Sequence, residues 1–392
     1  MKRHTCPACS ADQMTVFYEQ ASVPSNSCIL LETPEDAIAY PRGRIELGFC
    51  DACGFISNLA FDPKLTEYSG RYEETQAYSG TFNKFHRALV ERLIEDYGLT
   101  GKRILEIGCG KGEFLQLICE LGKNDGIGFD PGFRPERLKV SGEQKIEFVQ
   151  DFYGEKYAHE KADLVCCKMT LEHIPDAGHF IDGVRRAIGD YDSFVFFQVP
   201  EAMRIVRDCA FEDIYYEHCS YYSSGSLARL FRRYGFDVLK IATEYDDQYL
   251  TIEAKPAANG SRLPPAPGED DLKTLRAAVA DFPARVAKKL EYWRGILDDA
   301  RGAGQKVALW GSGSKGVSFL TSLNVTDEVD HVVDINPHRC GHFMSGTGHP
   351  IVAPAELEAL RPDLVIVMNP VYRDEIVADL RGMELDPAVL TF

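Results

Sequence analysis

A chain of 392 residues, 45% of them apolar, is long enough to bury a large core and to divide into two or three domains. Its formal charge of −17, with no Lys or Arg run long enough to offset it, excludes nucleic acid and anionic membrane surfaces as partners. The start, Met1-Lys-Arg-His-Thr-Cys6, lacks the apolar core of a signal peptide, and no later stretch approaches the roughly 20 apolar residues of a membrane span, so a cytoplasmic protein is expected and its 12 cysteines read as thiols or metal ligands.

Cys6-Pro-Ala-Cys9 and Cys50-Asp-Ala-Cys53-Gly54 are two C-x-x-C pairs. Four thiolates suit tetrahedral Zn2+, and a site filled by four cysteines leaves no position for a reactive water, so the zinc expected at Cys6, Cys9, Cys50 and Cys53 is structural. Pro24, Pro34, Pro41 and Gly43 break the intervening stretch into a strand or hairpin excursion, and Cys28 stands outside the ligand set. The spacing predicts a zinc-binding lobe over residues 1–70.

From Leu93 to about Lys255 short apolar runs alternate with helical stretches, the pattern of a parallel sheet covered by helices. Strands are predicted at Arg103–Ile107, Gly126–Phe129, Ile146–Val149, Asp163–Cys167 and Phe194–Val199, and a helix over Glu113–Leu121. Between the first strand and that helix lies Glu106-Ile-Gly108-Cys-Gly110-Lys-Gly112, whose glycines let a ligand lie against the backbone at a helix start. The G-x-G-x-G spacing and the acid before it differ from the G-x-G-x-x-G of dinucleotide folds. This stretch resembles motif I of the class I methyltransferases. The resemblance implies S-adenosylmethionine as cofactor, with Glu106, Gly108, Gly110 and Gly112 at its amino-acid part and Asp130, in Gly128-Phe-Asp130-Pro, on the ribose diol. It further places Asp151 and Phe152 beside the adenine and Lys168, in Cys167-Lys168-Met169, at the strand end that closes over the methionine moiety. The core is expected over residues 71–255.

After the fourth strand comes Leu171-Glu-His173-Ile-Pro-Asp176, where the mouth of such a sheet lies. Read alone, His173 is a packing or capping residue. A denser cluster, Tyr215-Tyr-Glu217-His218-Cys219, lies between the fifth strand and a predicted helix at Ser226–Tyr234. Phenol, carboxylate and imidazole together suit a carbon acceptor: a sulfonium methyl needs an electron-rich partner, and carbon becomes one when a base removes a proton next to a carbonyl. Histidine has the required pKa, and a carboxylate can orient its ring. Adjacent side chains on a strand point apart, however, so Glu217 is also a candidate for binding substrate hydroxyls.

Lys255 to Asp270 is a Pro- and Gly-rich linker. Leu272, Leu275, Val279, Phe282, Val286, Leu290 and Leu297 then recur at helical spacing as packing residues. Strands are predicted at Val307–Trp310, Val329–Asp334 and Asp363–Met368, giving a second α/β module over residues 256–392. Its Gly311-x-Gly313 with Gly316 and Asp334 admits a dinucleotide reading, an NAD-dependent oxidoreductase, which no third feature supports.

The order of cysteine-paired lobe, methyltransferase core, Tyr-x-Glu-His segment and second α/β module resembles the sugar C-methyltransferases of deoxysugar biosynthesis, over essentially the whole chain. The fold this implies is α/β: a class I methyltransferase core flanked by the zinc lobe and a C-terminal Rossmann-like domain. The activity it implies is transfer of a methyl to the carbon next to the keto group of a nucleotide-linked keto sugar, by deprotonation and attack of the enolate on the cofactor's methyl. Tyr215, Glu217 and His218 carry over as catalytic residues with His218 the base, and His173 faces the substrate. A further tyrosine matches Tyr72 or Tyr78 without a choice between them. The Lys315-Gly316 turn and Asp334-Ile-Asn336-Pro337 match the family's terminal domain, where the helix start beside Lys315 is expected to receive the substrate diphosphate; Asn369, His349 and Tyr372 follow at later loops. The family segment commonly reads Tyr-His-Glu-His followed by Phe-Ser-Tyr, whereas Tyr216 here replaces its first histidine and Cys219 its phenylalanine, which leaves the particular acceptor open. Methyl transfer to oxygen or nitrogen is the alternative, and the sequence does not fix the oligomeric state.

Overall fold

The computed structural model describes residues 4–137, 144–257 and 263–392. Part of the expected linker, residues 258–262, and the first three residues lie outside the described residues. The chain opens with an antiparallel pair, β1 (Thr15–Pro24) and β2 (Arg42–Phe49), joined through a short helix α1 (Pro34–Ile38) and extended by β3 (Ile56–Asn58). Helix α2 (Gly80–Tyr97) follows, its start capped by the Ser79 side chain and its end by Gly98 at φ 60°.

The predicted alternation comes next: β4 (Arg103–Ile107), α3 (Glu113–Gly122), β5 (Asp125–Phe129), β6 (Ile146–Val149), β7 (Leu164–Lys168), α4 (Ala177–Ile188) and β8 (Phe194–Pro200). Helix α5 (Ala202–Asp208), a two-residue strand β9 (Ser220–Tyr221), α6 (Ser224–Arg233) and the hairpin β10 (Phe236–Glu244) and β11 (Tyr249–Pro256) complete this part. Seven strands form one sheet in the order β10-β11-β8-β7-β4-β5-β6. Strands β4 to β8 run parallel, while β11 is antiparallel to β8 and to β10. A parallel sheet needs both faces covered, and Ile104, Leu105 and Ile107 of β4 are all buried. Helices α2 and α3 cover one face through Leu93, Leu115 and Ile118; α4 and α6 cover the other through Ile181, Leu227 and Phe231. This is the class I methyltransferase core expected from the sequence.

Helix α7 (Leu272–Gly302) leads to the terminal module. Leu275, Val279, Phe282, Val286 and Leu297 are buried as expected, together with Trp293, while Leu272 and Leu290 pack at the margin. The module consists of β12 (Val307–Trp310), α8 (Ser314–Ser322), β13 (His331–Val333), β14 (Ile351–Val352), α9 (Leu357–Leu360), β15 (Leu364–Val367), α10 (Arg373–Gly382) and β16 (Ala388–Thr391). Its five strands are all parallel, in the order β14-β13-β12-β15-β16.

Two packing facts determine how the clefts are built. The sheet of the first lobe has the order β1-β2-β3-β9, so the Tyr-x-Glu-His segment is stitched onto the lobe by Ile56 opposite Tyr221 and Ser57 opposite Ser220. One apolar cluster runs from Ile45 and Phe49 of the lobe through Phe282 of α7 to Leu309 and Ile366 of the terminal sheet. Lobe, long helix and terminal module therefore share a core. Among the described residues no helix is long and apolar enough to cross a membrane.

Candidate active site

The carboxyl ends of β4, β5 and β7 point to one side of the sheet, and a cleft of 360 Å³ opens there. The glycine loop forms its floor. Gly108 has φ 69°, and a Cβ on it would lie 2.0 Å from Thr170 Oγ1; Gly110 has φ 54°, and a Cβ on it would lie 2.8 Å from Glu74 Oε1. Both positions require glycine, so a ligand can approach the backbone itself. Gly112, at φ 83°, caps the start of α3 and lies outside the cleft lining, so its part is to turn the chain into the helix.

Four of the expected cofactor groups face this cleft with distinct chemistry. Glu106 is 2% exposed, its Oε2 has no hydrogen-bond partner, and burial pushes its carboxyl up to about 8, against the pull of Lys168. Asp130 accepts from the Gly110 amide at 2.9 Å and the Gly132 amide at 2.7 Å, which fixes its carboxylate at the rim. Asp151 accepts from Tyr157 Oη at 2.7 Å and from Lys156, beside the exposed ring of Phe152. Lys168 reaches His86 Nε2 at 2.9 Å and lies 4.4 Å over the Phe114 ring. A loop closed to a side chain at Gly108, a buried acid with one unpartnered oxygen and a carboxylate fixed at the rim fit a cofactor with a cationic amino-acid end and a ribose.

A second cleft, of 340 Å³, lies between the core and the terminal module. Tyr72, Glu74, Thr75, Gln76, Met169 and His173 line both clefts, so the two meet at these residues. At that junction His218, 3% exposed, is held by Tyr215 Oη at 2.7 Å from Nε2, and its ring stands edge-on to His173 with centroids 4.9 Å apart. Burial drives the His218 imidazole well below its ordinary value, and the neighbouring His173 ring adds to this; burial likewise pushes His173 down to about 4. Both rings are neutral at physiological pH. His173 Nδ1 lies 3.0 Å from both Tyr68 Oη and the Glu217 carbonyl.

Tyr215, His218 and His173 therefore come together as expected, and Glu217 departs from expectation. It is fully buried, does not line the cleft, and accepts from Ser27 N at 3.0 Å, Ser27 Oγ at 2.5 Å and Asn26 Nδ2 at 3.2 Å. Neighbouring side chains diverge: with His218 turned to the cleft, Glu217 is turned to the lobe. Tyr72 stands at the junction of the two clefts, whereas Tyr78 lines the second cleft alone and is 43% exposed.

The terminal module lines the far wall. Lys315, expected free for a diphosphate, is engaged by Asp213 at 2.6 Å and 2.5 Å, and Asp213 is also paired with Arg204. Asp334 is occupied within its own loop, accepting from the Ser312 amide at 3.1 Å and the Asn336 amide at 2.8 Å. Asn336 bonds Glu73 at 3.0 Å, Asn369 accepts from Gln248 at 2.9 Å, and Tyr372 donates to Gln76 at 2.7 Å, all at the cleft. His349 is outside it, bonded to Thr347 Oγ1 at 2.9 Å. Glu172, Tyr68 and the Glu73–Gln76 strap are among the cleft residues that the sequence pattern does not mark. Glu172 sits inside the Leu-Glu-His stretch, where an acid directly before a histidine is the local signal.

Away from the clefts, the Sγ atoms of Cys6, Cys9, Cys50 and Cys53 all lie within 4.8 Å of one another. Each pair sits on a tight turn, Cys50 N bonding Phe55 O and Gly54 N bonding Cys50 O in the second. Hydrogen bonds from Cys53 and Cys6 pull the Cys50 thiol strongly down. Four converging sulfurs fit a tetrahedral thiolate site. Cys28 is remote from this group and packs at the second cleft, 3.4 Å from Ser314 Oγ.

Comparison with known proteins places these features. Residues 79–241 match the family described as "Methyltransferase domain", and residues 268–386 the family described as "C-methyltransferase C-terminal domain". The C-methyltransferase NovU of Streptomyces niveus is 27% identical, with 95% of this chain and 91% of that protein covered. A ubiquinone biosynthesis O-methyltransferase of Citrobacter koseri is 35% identical over 25% of this chain and 44% of its own. Among solved structures, the 1,6-didemethyltoxoflavin-N1-methyltransferase of Burkholderia thailandensis covers 46% of this chain and 82% of its own, at 15% identity and a TM-score of 0.36. With the glycine cradle, its two acids and the matched methyltransferase domain, the chain is an S-adenosylmethionine-dependent methyltransferase, similar over nearly its whole length to a C-methyltransferase.

Proposed function

We propose that the enzyme methylates carbon next to the carbonyl of a nucleotide-linked keto sugar, with His218 as the base. The observation that carries this is the place of His218: a neutral, buried imidazole at the wall where the donor cleft meets the second cleft, held by Tyr215. S-adenosylmethionine in the first cleft supplies an electrophilic methyl group. His218 takes the proton from the acceptor carbon, whose electron pair would then bond the methyl as the methyl–sulfur bond breaks and its electrons stay on sulfur, giving a neutral thioether, while Tyr215 and His173 keep the ring in place. The similarity to NovU along the chain supports a carbon acceptor, and a two-domain cleft supports a substrate with a nucleotide part. Glu106, Gly108, Gly110, Asp130, Asp151, Phe152 and Lys168 are proposed to hold the cofactor, and Gly112 to shape its loop. Zn2+ at the four cysteines is proposed as structural, bracing the lobe on which β9 pairs.

The test is exchange of the acceptor's ring-carbon hydrogen in deuterated water, using nucleotide-linked 4-keto sugars with S-adenosylhomocysteine in the first cleft. Exchange by the wild type and its loss in His218→Asn support the reading; exchange undiminished in His218→Asn refutes the base. Methyl transfer to oxygen, the activity named for the Citrobacter koseri protein, requires no exchange at all.

A further inference from the structure

Glu172 is 1% exposed and lines the second cleft, yet neither of its carboxylate oxygens has a hydrogen-bond partner among the described residues. A buried carboxyl with no partner is costly and needs a reason. Two imidazoles stand beside it: His173 and His218 each place a ring nitrogen within 4.8 Å of a Glu172 carboxylate oxygen, and His218, whose Nε2 lies 3.9 Å from Oε1, has an Nδ1 without a partner among the described residues. The geometry is fixed from both sides: the Cys219 amide bonds the Glu172 carbonyl at 2.9 Å, and the His218 amide bonds the Tyr215 carbonyl at 3.2 Å.

The surroundings of the pair leave each dependent on the other. The thiols of Cys167 and Cys219 and the phenols of Tyr68, Tyr215, Tyr222 and Tyr249 lie within the field of Glu172, none of them a cation, and His173 beside it is already engaged through Nδ1 by Tyr68 Oη and the Glu217 carbonyl. His218 faces His173 from the same turn as Glu172, Tyr215 and Asp213 from its own segment, Tyr221 of β9 and Lys315 of α8. Asp213 is already committed to Lys315 and Arg204. Among the described residues, an imidazolium formed at His218 thus has the uncommitted carboxylate of Glu172 in reach.

We propose that Glu172 is a positioning residue that acts through His218: its carboxylate, 3.9 Å from Nε2, supplies the counter-charge when His218 becomes protonated. This rests on the reading of His218 as the base. In the competent state the pair is carboxylate and neutral imidazole. As the acceptor's C–H bond breaks, its electron pair remains on carbon and spreads onto the carbonyl oxygen, and the proton goes to the imidazole, which faces the carboxylate as a neutralised ion pair. The pair then returns the proton to solvent. Burial pushes the Glu172 carboxyl up to about 8, so below that pH Glu172 is itself protonated and the base is short of its counter-charge. The acid limb of the rate profile accordingly belongs to the pair.

The experiment is an NMR titration of ring-labelled histidine in the full chain with S-adenosylhomocysteine bound, with His218 assigned through His218→Asn, in the wild type and in Glu172→Gln. The expected result is a step in the His218 resonances near pH 8 in the wild type that is absent in Glu172→Gln, with turnover lowered on the order of 10²-fold and no further loss when Glu172→Gln is added to His218→Asn. Identical His218 titrations in the two proteins overturn the proposal. Glu172→Asp keeps the charge on a shorter arm and should restore a step; a flat curve there overturns it equally. The outcome is distinct from the base assignment: a step lost in Glu172→Gln together with full turnover in His218→Asn would retain the Glu172–His218 coupling and reject His218 as base.

Discussion

The carboxylate of Glu217 accepts from the backbone amide of Ser27 at 3.0 Å, a bond that spans 190 residues of chain and joins the first lobe to the segment carrying His218. Ser27 Oγ and Asn26 Nδ2 also donate to it. Glu217 thereby anchors the loop on which Tyr215 and His218 are displayed.

Glu217→Ala removes the acceptor of the buried Ser27 amide and of one hydrogen bond each from Ser27 Oγ and Asn26 Nδ2, and should cost about 1–3 kcal/mol of stability, read by urea denaturation. Turnover should fall with it, because the loop loses its tether. A variant as stable as the wild type would remove the anchoring role.

Tyr215→Phe deletes the hydroxyl that holds His218 Nε2 at 2.7 Å. The expected effect is a fall in kcat of about 10-fold to 10²-fold with unchanged affinity for S-adenosylhomocysteine by calorimetry, since Tyr215 lies outside the donor cleft. Equal loss of cofactor binding would contradict this.

Gly108→Ala places a methyl group 2.0 Å from Thr170 Oγ1 at φ 69°. Cofactor binding should be lost or weakened at least tenfold while the fold persists, and a variant that binds normally would rule out close backbone approach at this loop.

Stability should depend on pH through Glu106. Its folded carboxyl stands at about 8 and its ordinary value is 4.5, so between these values the native state binds the proton that the unfolded chain has released. Stability is then fully present below about pH 4.5 and is lost as the pH rises through about 8. Glu106→Gln should flatten this dependence, make the cofactor-free protein more stable at alkaline pH, and weaken S-adenosylmethionine binding. Denaturation curves with an unchanged pH slope would contradict it.

Replacing Cys6 or Cys53 with serine should release zinc, measured by elemental analysis, and lower the melting temperature. Because β3 pairs with β9, turnover should drop as well. A metal-free variant with wild-type stability would refute the zinc reading; Cys209→Ser, buried but outside the cluster, serves as control.

The core strands and α3 were legible because their signals are local. Ile104–Ile107 is an apolar run that ends in glycines with forced positive φ, and both properties are written in adjacent residues. The cysteine pairs were legible for the same reason. What stayed hidden depends on contacts between distant segments: Glu217 turns to the lobe because Ser27 waits there, Lys315 is taken by Asp213 across 102 residues, and His349 is held by Thr347 away from the cleft. Glu172 was passed over because a Leu-Glu-His stretch carries no mark of burial, and its orphaned oxygens exist only in the packed molecule.

The central claim is methyl transfer to carbon, and product analysis with S-adenosylmethionine labelled in its methyl group, against a panel of nucleotide-linked 4-keto sugars, tests it most directly. The account predicts one labelled methyl on a ring carbon next to the keto group, with loss of that carbon's hydrogen, and none in His218→Asn. Label found on oxygen or nitrogen, or transferred equally by His218→Asn, would contradict it.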